Sequence, residues 1–185
     1  GGDDNTSGGT SGGTGTNSPD TTVVTLPDTE SGKLLQTFID AAYASGSGLT
    51  ALDDNAKKLV AVWSEVAADA EAVMNSVYTQ FASGDVSYER LASLLKSFML
   101  IDAAQSTASS LLSKADSIRA GQTALEAFKA YVAAGKYMQA SREAARLASG
   151  DNAARTAARA VMEAHADDFK AGITAAVTEY MVRYE

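Results

Sequence analysis

The chain contains no cysteine and a single histidine, His165. Disulfides, thiolate nucleophiles and cysteine-based zinc sites are thereby excluded. Any catalytic arrangement built on imidazole has one residue to draw on. Proline is almost as scarce. Pro19 and Pro27 are the only two, so everything after Pro27 is free of the strongest helix breaker. No apolar run approaches the length needed to cross a bilayer; the densest, Phe98-Met99-Leu100-Ile101, stops at Asp102. Basic residues are outnumbered, 15 Lys and Arg against 23 Asp and Glu, for a net charge of −8. An acidic chain without a basic stripe has little with which to neutralise phosphates. That argues against nucleic-acid partners and against adsorption to anionic membranes.

What is present is largely alanine. Hydrophobic residues make up 45% of the chain, enough to build a core, and alanine is the strongest helix former because it loses no side-chain entropy on ordering. Residues 1–26 differ: they read GGDDNTSGGTSGGTGTNSPDTTVVTL. Such a segment buries too little apolar surface to offset its ordering entropy. Residues 1–27 are therefore expected to form a flexible low-complexity tether and residues 28–185 a helical bundle domain. Val23, Val24 and Leu26 are the leader's candidates for local packing. Asp3, Asp4, Asp20, Asp28 and Glu30 all fall within residues 1–32, which hold no Lys or Arg, so the remainder is close to charge balance.

The leader resembles the Gly/Ser/Thr/Asp stretch that follows the lipid-bearing cysteine of mature bacterial lipoproteins. The resemblance is one of composition over about 25 residues. It implies an extracytoplasmic location, periplasmic or at the cell surface, and a lipid anchor on a cysteine preceding Gly1. The chain opens Gly1-Gly2 without Met, as a processed product would. A secreted or multi-domain protein with a flexible N-terminus shares this composition.

Beyond the leader, glycine-containing breaks occur at Ser45-Gly46-Ser47-Gly48, Ser83-Gly84-Asp85, Ala120-Gly121-Gln122 and Ser149-Gly150-Asp151. Glycine just past a helix supplies the left-handed position that ends it. Each break is followed by residues suited to capping: Thr50, Asp85 or Ser87, Thr123 with Glu126, and Asp151. Helices are expected near 30–45, 51–82, 87–119, 124–148 and 152–184. Leu52, Ala56, Leu59, Trp63, Val66, Ala70, Val73, Val77 and Phe81 recur at spacings of four and three, an a/d-type stripe with Trp63 in mid-core. Four long helices with short connections favour an up-down-up-down four-helix bundle, with the short extra N-terminal helix across a side or end. Gly135 and Gly172 fall inside the fourth and fifth helices, where close helix approach is the expected compensation. The seven tyrosines suit rim positions with hydrated hydroxyls.

No pattern calls for a cofactor, and the chain reads as non-enzymatic. Asp53-Asp54 and Asp167-Asp168 are adjacent pairs whose side chains diverge around a helix. Ser109-Ser110 has no base nearby in sequence, and no glycine-rich loop joins a strand to a helix. His165 and Asp168 share a helix face and can contribute to a divalent metal site, with Glu65, Asp69 or Asp102 as further ligands. The plainer reading is a core-edge histidine bonded to its neighbouring carboxylate. Gln105 would make the middle of the third helix polar if it faced inward, opening room for a ligand.

Four arginines form the most distinctive polar feature. Arg142 and Arg146 precede the 149–151 turn, and Arg155 and Arg159 follow it. The second pair sits where a helix N-terminus disfavours cations, which points to an acidic partner or an anion. Local pairing with Glu143, Asp151, Asp85 or Glu89 is the plainer alternative. Three functional readings follow: a tethered helical module acting through protein contacts, a binder of a small anion or metal, and a self-assembling helical protein or homo-oligomer. An apolar patch on one helix face favours the first or third. A polar pocket near residues 149–151 or His165 favours the second.

Overall fold

Thr29 is extended, and its Oγ1 accepts the Gly32 N–H at 3.1 Å, which starts the first helix, α1 (Glu30–Tyr43). The computed structural model describes residues 24–44, 49–147 and 152–183. Residues 1–23 of the expected tether, the 45–48 break and the 148–151 turn lie outside the described residues; Val24 and Leu26 are half-buried. After α1 come α2 (Leu49–Ala61), α3 (Trp63–Ala82), α4 (Tyr88–Phe98), α5 (Asp102–Ala133), α6 (Tyr137–Arg146), α7 (Asn152–Ala164) and α8 (Ala166–Arg183). The chain is all-helical, and no strand occurs among the described residues. It divides into two compact units, Gly1–Ala115 and Asp116–Glu185, the division falling within α5.

In the first unit α1 packs against α2, α3 and α4, and α3 packs against α4. The short N-terminal helix, expected at a side or end, is thus the element the others share. Leu35, Phe38 and Ile39 are fully buried, and the Phe38 and Phe98 rings meet at 4.9 Å between centroids. The a/d stripe fills the same core: Leu59, Val66, Ala70, Val73 and Val77 have no exposed surface. Leu52 and Trp63 are the exceptions and are only half-buried. Val62 leaves the helical conformation (φ −119°, ψ 17°), so the expected 51–82 rod breaks one residue before the indole. The cost of about 3–5 kcal/mol for truncating a buried aromatic belongs to Phe38 or Phe98, not to Trp63.

The long helices expected for an up-down-up-down bundle are not found with the expected bounds: 51–82, 87–119 and 152–184 are each interrupted, and the 32-residue α5 spans the end of the expected 87–119 helix and the start of the 124–148 one. The 87–119 helix ends at Phe98, where Leu100 N–H and Ile101 N–H turn back to Ser97 O and Phe98 O, both at 3.0 Å. That tight turn keeps Phe98 and Ile101 buried while Leu100 faces solvent. The break expected at Gly121 is absent: α5 runs through it, and Thr123, expected as a cap, lies within the helix. An established helix gains one hydrogen bond per added residue, which offsets the cost of about 1 kcal/mol for one glycine. Gly135, expected inside a helix, ends one instead. Its φ is +73°, with Gly135 N–H on Val132 O and Lys136 N–H on Tyr131 O. Gly84 (φ +88°) makes the same turn after α3, as expected. Ser87, one of the two caps expected there, accepts the Arg90 N–H at 3.1 Å. Gln105, Ser106, Ser109 and Ser110 are exposed, so most of the polar middle of the third expected helix faces solvent.

At the C-terminal end of α1 the Arg90 guanidinium lies over the Tyr43 ring, 3.7 Å from its centroid. Burial, then the nearby Asp40 charge, pushes the Tyr43 phenol well above its usual range. Its hydroxyl is buried without a hydrogen-bond partner, unlike the hydrated rim position expected of it. Burial raises the Asp40 carboxyl, partly offset by the Gln36 amide, which donates to it at 2.9 Å. Asp40 also faces the negative end of the α1 dipole. Because folded Asp40 holds its proton more tightly than unfolded Asp40, its ionisation opposes folding. That penalty is absent at low pH and grows as pH rises through the folded pKa. Asp40→Asn keeps an acceptor for Gln36 and should raise Tm at pH 7, with the advantage vanishing below about pH 4, the ordinary carboxylate range. Equal Tm values at pH 7 would show that the carboxylate carries no such penalty.

Candidate functional site

The second unit holds the four arginines, His165 and Asp168. Its core is Phe128 of α5, Ala140 of α6, Leu147, Ala154 and Ala158 of α7, and Phe169 of α8. Alanines at the crossings let the helices come close, and aromatic rings fill what remains. Phe128 stacks on Phe169 at 6.0 Å, and the Tyr137 ring meets Phe169 edge-on at 5.0 Å. Ending α5 at Gly135 starts α6 at Tyr137 and so places this ring.

At Gly172, α6 and α8 pack tightly. A Cβ built there would lie 2.9 Å from the Tyr137 Cβ. The sequence expectation of close packing at Gly172 holds, while that at Gly135 is replaced by a turn. His165 joins α7 to α8. Its N–H is shared between Val161 O (3.1 Å) and Met162 O (3.3 Å), and its carbonyl accepts the Phe169 N–H at 3.0 Å. The expected 152–184 helix therefore has a junction at the histidine.

His165 and Asp168 come together, Nδ1 to Oδ2 at 3.4 Å, both partly exposed. The Tyr137 ring lies 6.3 Å from the imidazole. Glu65, Asp69 and Asp102 belong to the other unit. Among the described residues no group of three or more potential metal ligands converges. What His165 and Asp168 form is a two-member, partly exposed contact between an imidazole and a carboxylate.

The four arginines do not share one environment. Arg142 and Arg159 are exposed, Arg155 is half-buried, and Arg146 pairs with Glu143 at 3.3 Å within α6. Asp151 lies outside the described residues, and Asp85 and Glu89 belong to the first unit. Arg146 and Glu143 also line a cleft of about 780 Å³ between α6 and the stretch of α5 that carries Asp116, Arg119, Gly121 and Thr123. Sequence reasoning missed Arg119 because Gly121 was expected to end its helix. With the helix continuous, Asp116, Ala120, Thr123 and Ala127 fall at helical spacing on one face. Two guanidinium groups and two carboxylates then rim a floor of alanine and glycine, suited to a small polar molecule of mixed charge.

A second surface was not singled out. The C-terminal half of α8 leaves Ile173 38%, Val177 50%, Tyr180 63%, Met181 61% and Val182 70% exposed. From Ala171 to Val182 the only charged residue is Glu179, bound by Arg183 at 2.9 Å. The signal was present in the run of Ile173, Val177 and Tyr180, but the same spacing marks a buried stripe. No described helix is long and apolar enough to cross a membrane. No protein family, no curated protein and no solved structure matches this chain.

Gly172→Ala tests the α6–α8 contact. The substitution gains about 1 kcal/mol of helix propensity, but the new methyl collides with the Tyr137 Cβ rather than with a flexible side-chain end. A net loss of about 1–2 kcal/mol, as for overpacked cores, should appear in urea denaturation. A more stable Ala variant would show that the helices separate at little cost.

Proposed function

We propose that this chain is a non-enzymatic helical module that acts through protein contacts and is held at an extracytoplasmic surface by its Gly/Ser/Thr-rich leader. The observation that carries the contact half is the exposed apolar stripe of α8, Ile173, Val177, Tyr180 and Met181. Single exposed apolar residues are ordinary, but a contiguous group at helical spacing marks a face that meets another surface. The supporting observation for the tether is compositional, in residues 1–27. The stripe's side chains are exposed, so polar residues can replace them at little cost to the core.

Val177→Glu combined with Met181→Glu should leave helix content and Tm unchanged. Chemical cross-linking of the wild-type chain in its native surroundings should give adducts that the double variant loses. Equal adducts from both proteins would overturn the contact reading, and a large drop in Tm would return these residues to the core.

The cleft favours a second reading, in which Arg119 and Arg146 hold the anionic group of a small polar molecule. Inorganic phosphate titrated by calorimetry should then bind the wild-type chain at least about tenfold more tightly than Arg146→Ala, the loss expected for one charge-assisted hydrogen bond. No measurable binding to the wild type sinks this reading.

A further inference from the structure

We infer that the exposed face of α8 docks on a second copy of itself, the two helices antiparallel with their axis of symmetry level with Ala175. The inference rests on the contact reading above and names its partner. Lys170, Ile173, Val177 and Tyr180 are spaced three, four and three residues apart, the a/d seam of a helix pair. Turned end for end, that spacing maps onto itself. Ile173 of one copy faces Val177 of the other, and the Lys170 stem lies along the Tyr180 ring, a pairing that suits an ammonium and an aromatic face. A two-fold contact needs such self-complementarity.

Charge selects the same partner and the same direction. Glu179 and Arg183 neutralise each other within one helix at 2.9 Å, so two such faces meet without like charges in the seam. Asp167 and Asp168 lie in the first turn of α8 and Arg183 in the last. The antiparallel arrangement sets the acidic end of one copy level with the basic end of the other. A parallel arrangement sets Lys170 against Lys170 and acidic turn against acidic turn, which is repulsive. A lipid surface is a poorer occupant: the flanks of the seam carry Thr174, Ala176 and Met181, without the Lys, Arg and Trp of interfacial helices.

Sedimentation equilibrium of the full chain across the micromolar range should show a reversible dimer. Val177→Glu should weaken it roughly thirtyfold or more, as for the loss of a central interface anchor, with unchanged circular dichroism and Tm. The absence of native cysteine makes direction measurable. Lys170→Cys mixed with Tyr180→Cys should form a disulfide-linked heterodimer under mild oxidation. Tyr180→Cys alone should not link to itself, because the two sites sit about 15 Å apart along the axis, at 1.5 Å per residue. Self-linking by Tyr180→Cys as efficient as mixed linking overturns the antiparallel seam. A wild-type chain that stays monomeric throughout the range overturns self-docking, as does one that binds phosphatidylcholine vesicles through Val177 instead. If the chain is monomeric while the native-surroundings adducts still depend on Val177 and Met181, only the choice of partner fails. If those adducts are also unaffected by the double Glu variant, the contact reading fails with it.

Discussion

In a chain so rich in alanine, helix formation costs little, and the burden of burying apolar surface falls on a small set of large side chains. In the first unit that set centres on Phe38 and Phe98, in contact at 4.9 Å. In the second it is Phe128, Tyr137 and Phe169. Everything else follows from delivering these rings to one place. The tight turn after Phe98 keeps both Phe98 and Ile101 inside. The left-handed turn at Gly135 reverses the chain so that Tyr137 reaches Phe169, and the missing side chain at Gly172 admits Tyr137. Small residues set how close the helices come, and rings fix where they cross.

This division of labour explains what the sequence made legible. The all-helical class, the buried stripe from Val66 to Phe81, the Gly84 turn and the Ser87 cap are local or periodic signals, and each can be read from a few neighbouring residues. Which glycine breaks a helix is not local. Gly121 and Gly135 both stand beside alanine on their N-terminal side, and the outcome depends on what lies downstream. Turning at Gly135 brings Tyr137 against Phe169, whereas running through Gly121 keeps Phe128 on the buried face of one helix. The breaks at Val62 and after Phe98 carry no glycine or proline, so tertiary packing alone sets them. The placement of α1 at the centre of its unit also depended on long-range contacts that periodicity does not reveal.

The candidate sites followed the same rule. His165 and Asp168, three residues apart, were bound to meet once a helix formed, and they do at 3.4 Å. The arginines depended on a turn between helices, and only Arg146 lines the cleft, with Arg119 as its unforeseen counterpart. The exposed face of α8 was hidden by its own regularity. A seam that meets another molecule and a seam that meets its own core have one spacing, and they differ only in how far the neighbouring helices extend.

The position of Gly172 has a further consequence. Ahead of it, α8 is held by Tyr137 and Phe169; after it come eleven helical residues, Ile173–Arg183, with mostly exposed side chains. An isolated helix of that length is marginal in water, because few hydrogen bonds offset the cost of nucleation. Here the anchored turn acts as a ready nucleus, and the rest is free to fray and re-form on it. Amide protection should therefore fall steadily from Gly172 towards Arg183. A surface laid against this face would then supply ordering as well as contact, so that recognition and the last turns of the helix form together.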